Sequence, residues 1–200
     1  MKALIVFAHP RKVSFTHSLV KRIHQSLEKK GYEVTVRDLY DLNFDPVLRE
    51  DDVVFVEDGK FTRKHKEFPA DVQVEQQHIL DNDLLVYVFP SWWNGMPAIF
   101  KGYIDRVFQH GFAYSFEDPT IRDKFTNKRV IYFTPTGQPQ NEDGSDTPIN
   151  AAMRTLISNW LFNGNGAQLI DHVFYGRVPY KSTEELEAYL DDAEKRIMEL

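Results

Sequence analysis

A doubly wound α/β domain built on a parallel sheet is the fold class this sequence predicts, and three observations predict it. Apolar runs at residues 3–8 (ALIVFA), 84–89 (LLVYVF) and 129–134 (RVIYFT) are bounded by turn residues, as strands buried on both faces are. Segments 33–37 (EVTVR) and 168–173 add two further strands, the first alternating and nearer an edge. Stretches with apolar residues three and four apart separate the strands. That alternation requires a parallel sheet with helices on both faces. Five strands fit the order 2-1-3-4-5, whose switch point lies between strands one and three. Residues 1–200 are of a length for one domain with a substantial core.

Composition removes several classes of function. A net charge of −6 without a basic cluster argues against nucleic acid as a partner. With no cysteine, disulfides, thiolate catalysis and cysteine metal sites are excluded, and the seven histidines form no helical metal pair. No apolar stretch approaches the roughly 18 residues of a membrane span. The opening MKALIVFAHP is too short in its apolar run for a signal peptide and reads as a strand. A cytoplasmic protein, not embedded in a membrane, is expected.

Taken in order, strand 3–8 ends in the loop 9–13, and Ser14 is placed to cap a helix carrying Leu19, Val20, Ile23 and Leu27, closed by Gly31. Strand, polar loop and helix start form an anion-binding arrangement, although the spacing equally suits an ordinary βα turn. Residues 48–70 read as a long charged excursion with a helical turn. Its Lys60, Arg63, Lys64, His65 and Lys66 suit either a solvated face or the steering of a dinucleotide phosphate. Residues 72–80 form a helix leading into the central strand. Pro90 stops that strand. Pro97 suits the first turn of the next helix, which carries Ile99, Phe100, Tyr103, Ile104 and Val107. Within that helix Asp105 and Arg106 can pair locally or across an interface. Strand 129–134 runs into Pro135, Thr136, Gly137 and Gln138. Thr147 and Pro148 then open a helix bearing Ile149, Met153, Leu156, Ile157 and Trp160. Ser182 and Glu185 form a capping box for the last helix, whose stripe is Leu186, Leu190, Ala193 and Ile197.

Two loops fall at the switch point, residues 9–16 and 91–96, and ligands of open α/β sheets bind there. The second holds Trp92 and Trp93. Two large aromatics in a short polar loop suit either packing or the face of a flat ligand. No nucleophile–base pair and no pair of carboxylates accompanies them. Stacking surfaces with amide donors and few acids suit a cofactor that carries its own chemistry.

The run FPSWWNGMPAIFKGYIDRVFQHGFAY resembles the central signature of the NAD(P)H:quinone oxidoreductase family, flavodoxin-like flavoproteins. DLY at 38–40 and NFDP at 43–46 add to the resemblance, which covers nearly the whole chain. It implies that Pro90, Ser91, Trp92, Trp93 and Asn94 lie along the isoalloxazine ring. AHPRKVSFTHSL resembles the family's phosphate loop, pointing to His9, Ser14, Phe15 and Thr16, with Ser18 beside them. Thr136 and Gly137, flanked by Pro135 and Gln138, match the pair at the N1/O2 edge of the flavin. FAD is the implied cofactor, with FMN as the alternative, and NADPH or NADH the co-substrate. The implied activity is two-electron, ping-pong reduction of quinones or similar flat acceptors. The family also implies a homodimer with active sites at the interface, the substrate pocket formed by Trp93, Asn94, Tyr114 and Phe116. Two other roles are open to such a chain: a flavoprotein regulatory subunit of a potassium-efflux transporter, or a flavodoxin-type electron carrier. One departure stands out. The tyrosine and histidine that assist charge relay in the family are absent from residues 138–146.

Overall fold

The computed structural model describes residues 1–159 and 166–200; Trp160 lies outside the described residues. The chain runs β1 (Lys2–Phe7), α1 (Phe15–Lys29), β2 (Glu33–Asp38), a hairpin of β3 (Val54–Glu57) and β4 (Lys60–Arg63), α2 (Ala70–Asp81), β5 (Leu84–Val88), α3 (Ala98–Val107), β6 (Arg129–Pro135), α4 (Pro148–Met153), β7 (Gln168–Tyr175) and α5 (Thr183–Met198). The main sheet is parallel throughout, in the order β2-β1-β5-β6-β7. Counted over the sheet's own strands this is 2-1-3-4-5; the hairpin takes up two numbers and shifts the rest.

Strand periodicity divides the core in two. On one face Ala3, Ile5 and Phe7 of β1 meet Leu19, Ile23 and Leu27 of α1 and Leu190, Ala193 and Ile197 of α5. On the other, Leu4 and Val6 meet Ile79 of α2 and Phe100, Tyr103 and Val107 of α3. Each central strand thus feeds apolar side chains to both faces in alternation, which is why these strands read as unbroken apolar runs.

The helix ends follow their capping residues. Ser14 caps α1 and Gly31, at φ +88, ends it. Thr147 caps α4, which starts at Pro148 and passes into a π-helical segment, Arg154–Asn159. The Ser182–Glu185 capping box opens α5. Pro97 sits at the N-cap of α3, one position before the first turn expected of it. Close packing explains Gly102 in the middle of α3: a Cβ there would lie 2.2 Å from the carbonyl oxygen of Pro46.

The excursion between β2 and α2 differs most from expectation, since it contains a β-hairpin. Asp58 and Gly59, at φ +49 and +75, form the two-residue turn, the arrangement that Asp-Gly favours. Arg106 ties this excursion to the domain. Its guanidinium bonds the carboxylate of Asp52 at 3.1 Å, Asp71 at 2.5 Å and the Asp45 carbonyl at 2.9 Å. Asp105 pairs with Lys101 one turn back on α3. Arg106 therefore pairs within the chain and is nearly buried. Arg63 is structural too, bonding the carbonyls of Asp52 and His110 and the Gln109 side chain. Lys64 and His65 both face Asp51.

At the far end of β6, buried His172 of β7 joins Thr134 Oγ1 (2.9 Å) to Ser158 Oγ (3.2 Å). Burial is the main cause that pushes its pKa down to about 3. The native imidazole is neutral while the unfolded one takes a proton below about 6.5, so the unfolded state binds more protons and stability falls as the pH is lowered. Between the two values this residue should remove about 1.4 kcal/mol per pH unit. Urea unfolding at a series of pH values is expected to show that slope, and His172→Gln to flatten it.

Candidate functional site

Parallel pairing brings three strand ends together. Phe7 lies opposite Val88 and the Ala8 amide bonds the Val88 carbonyl at 3.2 Å. The Phe89 amide bonds the Phe133 carbonyl, and the Ser91 amide bonds Pro135 at 2.8 Å. The loops after β1, β5 and β6 consequently line one cleft of about 840 Å³ at the carboxyl edge of the sheet. The structure brings together there His9, Ser14, Phe15, Thr16 and Ser18 from the first loop and α1. Pro90, Ser91 and Trp92 come from the second, and Pro135, Thr136 and Gly137 from the third.

One end of the cleft is built for an anion. Ser14 Oγ accepts the His17 amide at 3.3 Å, and Thr16 is buried in the first turn. The opening amides of a helix have no acceptor inside it and carry the positive end of the dipole. Arg11 and Lys12 add two cations that the motif reading passed over, although their side-by-side position in the loop was the signal. Lys12 bonds Asp38 at 2.9 Å and also Asp41, which raises the lysine pKa and lowers that of Asp41. His9 is drawn below its ordinary pKa mainly by burial, and its Nδ1 lies 3.1 Å from the Arg11 amide.

At the other end Trp92, 40 % exposed, presents a flat aromatic surface, its ring 5.9 Å from that of His9. Trp92 and Gly95 exchange backbone hydrogen bonds at 3.1 and 3.2 Å, closing a tight turn. Trp93 and Asn94 occupy its corner at φ +51 and +59, a conformation costly for a bulky side chain. This turn throws Trp93 wholly into solvent (102 %), away from the cleft. Asn94 lines a separate apolar groove of about 850 Å³ between α3 and α4.

On the third side the Thr136 amide bonds the Tyr175 carbonyl at 2.8 Å, and Thr136 Oγ1 accepts the Gln138 amide at 3.1 Å. Gln138 also accepts the Arg177 amide, so both of its backbone groups serve the turn and it does not line the cleft. Gly137 faces open space: a Cβ there would meet nothing within 4 Å. Val178 and Pro179, from the connection between β7 and α5, and Leu186, in the first turn of α5, complete the wall.

Tyr114 and Phe116 lie elsewhere in the same chain. Gly111, at φ +89, reverses the backbone after α3, and its amide bonds the Tyr114 carbonyl at 2.8 Å. Phe116 then stacks on Phe61 of the hairpin, centroids 5.0 Å apart, beside a cavity of about 410 Å³. No residue of the loop 138–146 lines the cleft, and Arg154 clamps its Asp146 (2.7 Å) to Asp171 (2.8 Å) at the sheet edge. Among the described residues no cluster of three His, Asp or Glu could hold a metal ion.

A family described as having a flavodoxin-like fold matches residues 1–197. A relative from Haemophilus influenzae, named an uncharacterized NAD(P)H oxidoreductase, is 36% identical over 182 residues, covering 89% of this chain and 85% of that one. The chain belongs to the flavodoxin-like NAD(P)H oxidoreductase family. NAD(P)H dehydrogenase [quinone] 1 of Cavia porcellus is 34% identical over 146 residues, 68% of this chain but 53% of that protein. This member of the family thus matches about half the length of the animal enzyme. The structure of the NAD(P)H:quinone oxidoreductase from Methanothermobacter marburgensis superposes with a TM-score of 0.82 at 26% identity, covering 99% of this chain and 96% of that one.

The geometry of the anion end gives a discriminating variant. Ser14→Asp keeps a good N-cap, so α1 should hold and the melting temperature should stay near that of the wild type. The added charge should weaken any phosphate-bearing ligand by about 1–3 kcal/mol. Titration calorimetry with FMN and FAD, beside a thermal melt, checks both halves.

Proposed function

We propose that this protein is a flavin-dependent NAD(P)H oxidoreductase that reduces quinones or similar flat acceptors by two electrons. The observation that carries the proposal is the meeting of an anion-binding helix end, a flat indole face and a backbone edge in one cleft. A flavin bound there would supply the hydride chemistry between NADH or NADPH and the acceptor. The chain's own groups bind and orient. Ser14, Thr16 and the first-turn amides of α1 would hold the phosphate end, with Arg11 adding positive charge, the ammonium of Lys12 being matched by Asp38 and Asp41. Trp92 and the segment 90–91 lie along the ring system. The backbone at Gly137 would face the edge where negative charge collects, and its amide dipole would stabilise that charge without reorganising, the Thr136 amide being already given to the Tyr175 carbonyl. No carboxylate lines the cleft among the described residues, so placement of two flat reactants dominates. Names of relatives favour this enzyme over the transporter subunit and the electron carrier. FAD is the flavin that the resemblance favours, and Arg11 in the 9–14 loop suits its diphosphate.

A homodimer is part of the proposal. Trp93, Phe116 (72 %) and Leu156 (73 %) are exposed, and the apolar groove lined by Met96, Ile104, Ile149 and Met153 lies beside the Trp92–Gly95 turn. Exposed apolar patches of this kind mark interfaces. Tyr114 and Phe116, apart from the cleft in one copy, would close the acceptor pocket of a second. Among the described residues no helix is long and apolar enough to cross a membrane, in keeping with the cytoplasmic location proposed.

The purified protein should be yellow and release FAD on denaturation, identified by mass. Anaerobic NADH or NADPH should bleach it and a quinone should restore the colour. A protein that stays colourless with added FAD or FMN would overturn the proposal. In sedimentation, a stable monomer of 23.4 kDa with full turnover would overturn the dimer alone.

A further inference from the structure

Beneath the anion end of the cleft lies a polar chain that the proposed chemistry leaves unused. Ser14 Oγ is 3.0 Å from Nδ1 of His17, one turn along α1, and also accepts the His17 amide. The other ring nitrogen, Nε2, is 3.6 Å from Oδ2 of Asp38 at the end of β2. That nitrogen is buried without a hydrogen-bond partner among the described residues. The imidazole stands edge-on to Phe7, centroids 5.0 Å apart, and its side chain is 19% exposed. The charged and titratable groups around it are His9 and Lys12 on the loop after β1, Asp38, and Asp41 in the turn beyond β2.

A count of protons decides what Ser14 can do. A hydroxyl has one proton and two lone pairs; an uncharged imidazole has one donor and one acceptor nitrogen. The Asp38 oxygen facing Nε2 already accepts from Lys12 at 2.9 Å, so it presents lone pairs to the ring. A bare Nε2 would set lone pair against lone pair, so the proton of the neutral ring belongs there. Nδ1 is then the acceptor and takes the only proton of Ser14. In that state one lone pair of the hydroxyl still accepts the His17 amide and the other faces the cleft, which repels an anion. When the ring is protonated, Nδ1 donates to Ser14 instead. Ser14 Oγ then accepts twice from His17, through Nδ1–H and the amide, and its own proton is free for an acceptor in the cleft.

We infer that His17 is a positioning residue whose protonation releases the Ser14 hydroxyl to hold the phosphate of the bound cofactor. Binding of that phosphate therefore takes one proton from solvent. The inference rests on the flavin proposal and names the group that controls its anion end.

The test compares riboflavin, FMN and FAD as ligands of the apoprotein between about pH 5.5 and 8.5, across the range in which histidine titrates. Towards the alkaline end of that range, affinity for FMN and FAD should fall by up to about tenfold per pH unit, the slope of one linked proton. Riboflavin, lacking phosphate, should show no such slope. His17→Asn places an amide donor near the Nδ1 position at every pH, so it should remove the part of the slope due to His17. In ¹⁵N-histidine spectra of the wild type, Nδ1 of His17 should be bare in the free protein at high pH and protonated in the FMN complex. Equal slopes in wild type and His17→Asn, or a bare Nδ1 in the complex, would overturn the role of His17 while leaving flavin binding intact. Failure of every flavin to bind would overturn the flavin proposal and this inference with it.

Discussion

Parallel pairing of β1 with β5 is the constraint on which the site depends. The sheet order reverses between these strands, so the chain leaves them towards opposite faces and a crevice opens at their carboxyl ends. Because Phe7 sits level with Val88, the loops that follow start at the same height although they are far apart in sequence. β6, next to β5, delivers Pro135, Thr136 and Gly137 to the same level. A slip of one residue in either pairing would invert the strand's faces and unpack both halves of the core, so the register is strongly held. The position of the cleft is thus a consequence of core packing, and its chemistry is set by short loops carried on rigid strands.

Those loops are fixed by local hydrogen bonding more than by burial. Ser14 sets the start of α1, the Trp92–Gly95 bridge sets the turn after β5, and Thr136 with Tyr175 and Gln138 sets the turn after β6. The excursion between β2 and α2 is held differently, through the nearly buried guanidinium of Arg106 and its bonds to Asp52 and Asp71. Removing Arg106 would leave the buried carboxylate of Asp52 unmatched, at a cost of about 3–5 kcal/mol. Through Phe61 that excursion also positions Phe116, so an ion pair remote from the cleft governs the aromatic surface proposed to face a second copy.

Much of this was legible in the residues themselves. The buried strands declared themselves as apolar runs, and the caps at Ser14, Thr147 and Ser182 stand where small polar residues precede amphipathic stretches. The meeting of the 9–16 and 91–96 loops followed from strand order alone, and the structure places both at the cleft. Other features depend on contacts distant in sequence. The hairpin was hidden because its Asp-Gly turn lies among charged residues that mask strand alternation. Arg106 could not be paired from sequence, since Asp52 and Asp71 approach it only through folding. Val178, Pro179 and Leu186 reach the cleft from the far end of the chain with no motif to mark them. Trp93 and Asn94 were expected against the ring system beside Trp92. Positive φ at both turns that stretch outward, a conformation that tryptophan rarely adopts and side-chain type does not announce.

The central claim is that one cleft, lined by the loops after β1, β5 and β6, receives the whole flavin. Hydrogen-exchange mass spectrometry of the apoprotein with and without FAD tests it most directly, because the three loops report separately. Slowed exchange is expected in residues 11–18, 91–95 and 136–138 together, with the hairpin at 54–63 unchanged. Protection confined to another part of the surface, or flavin binding that leaves the 11–18 segment exchanging as before, would contradict it.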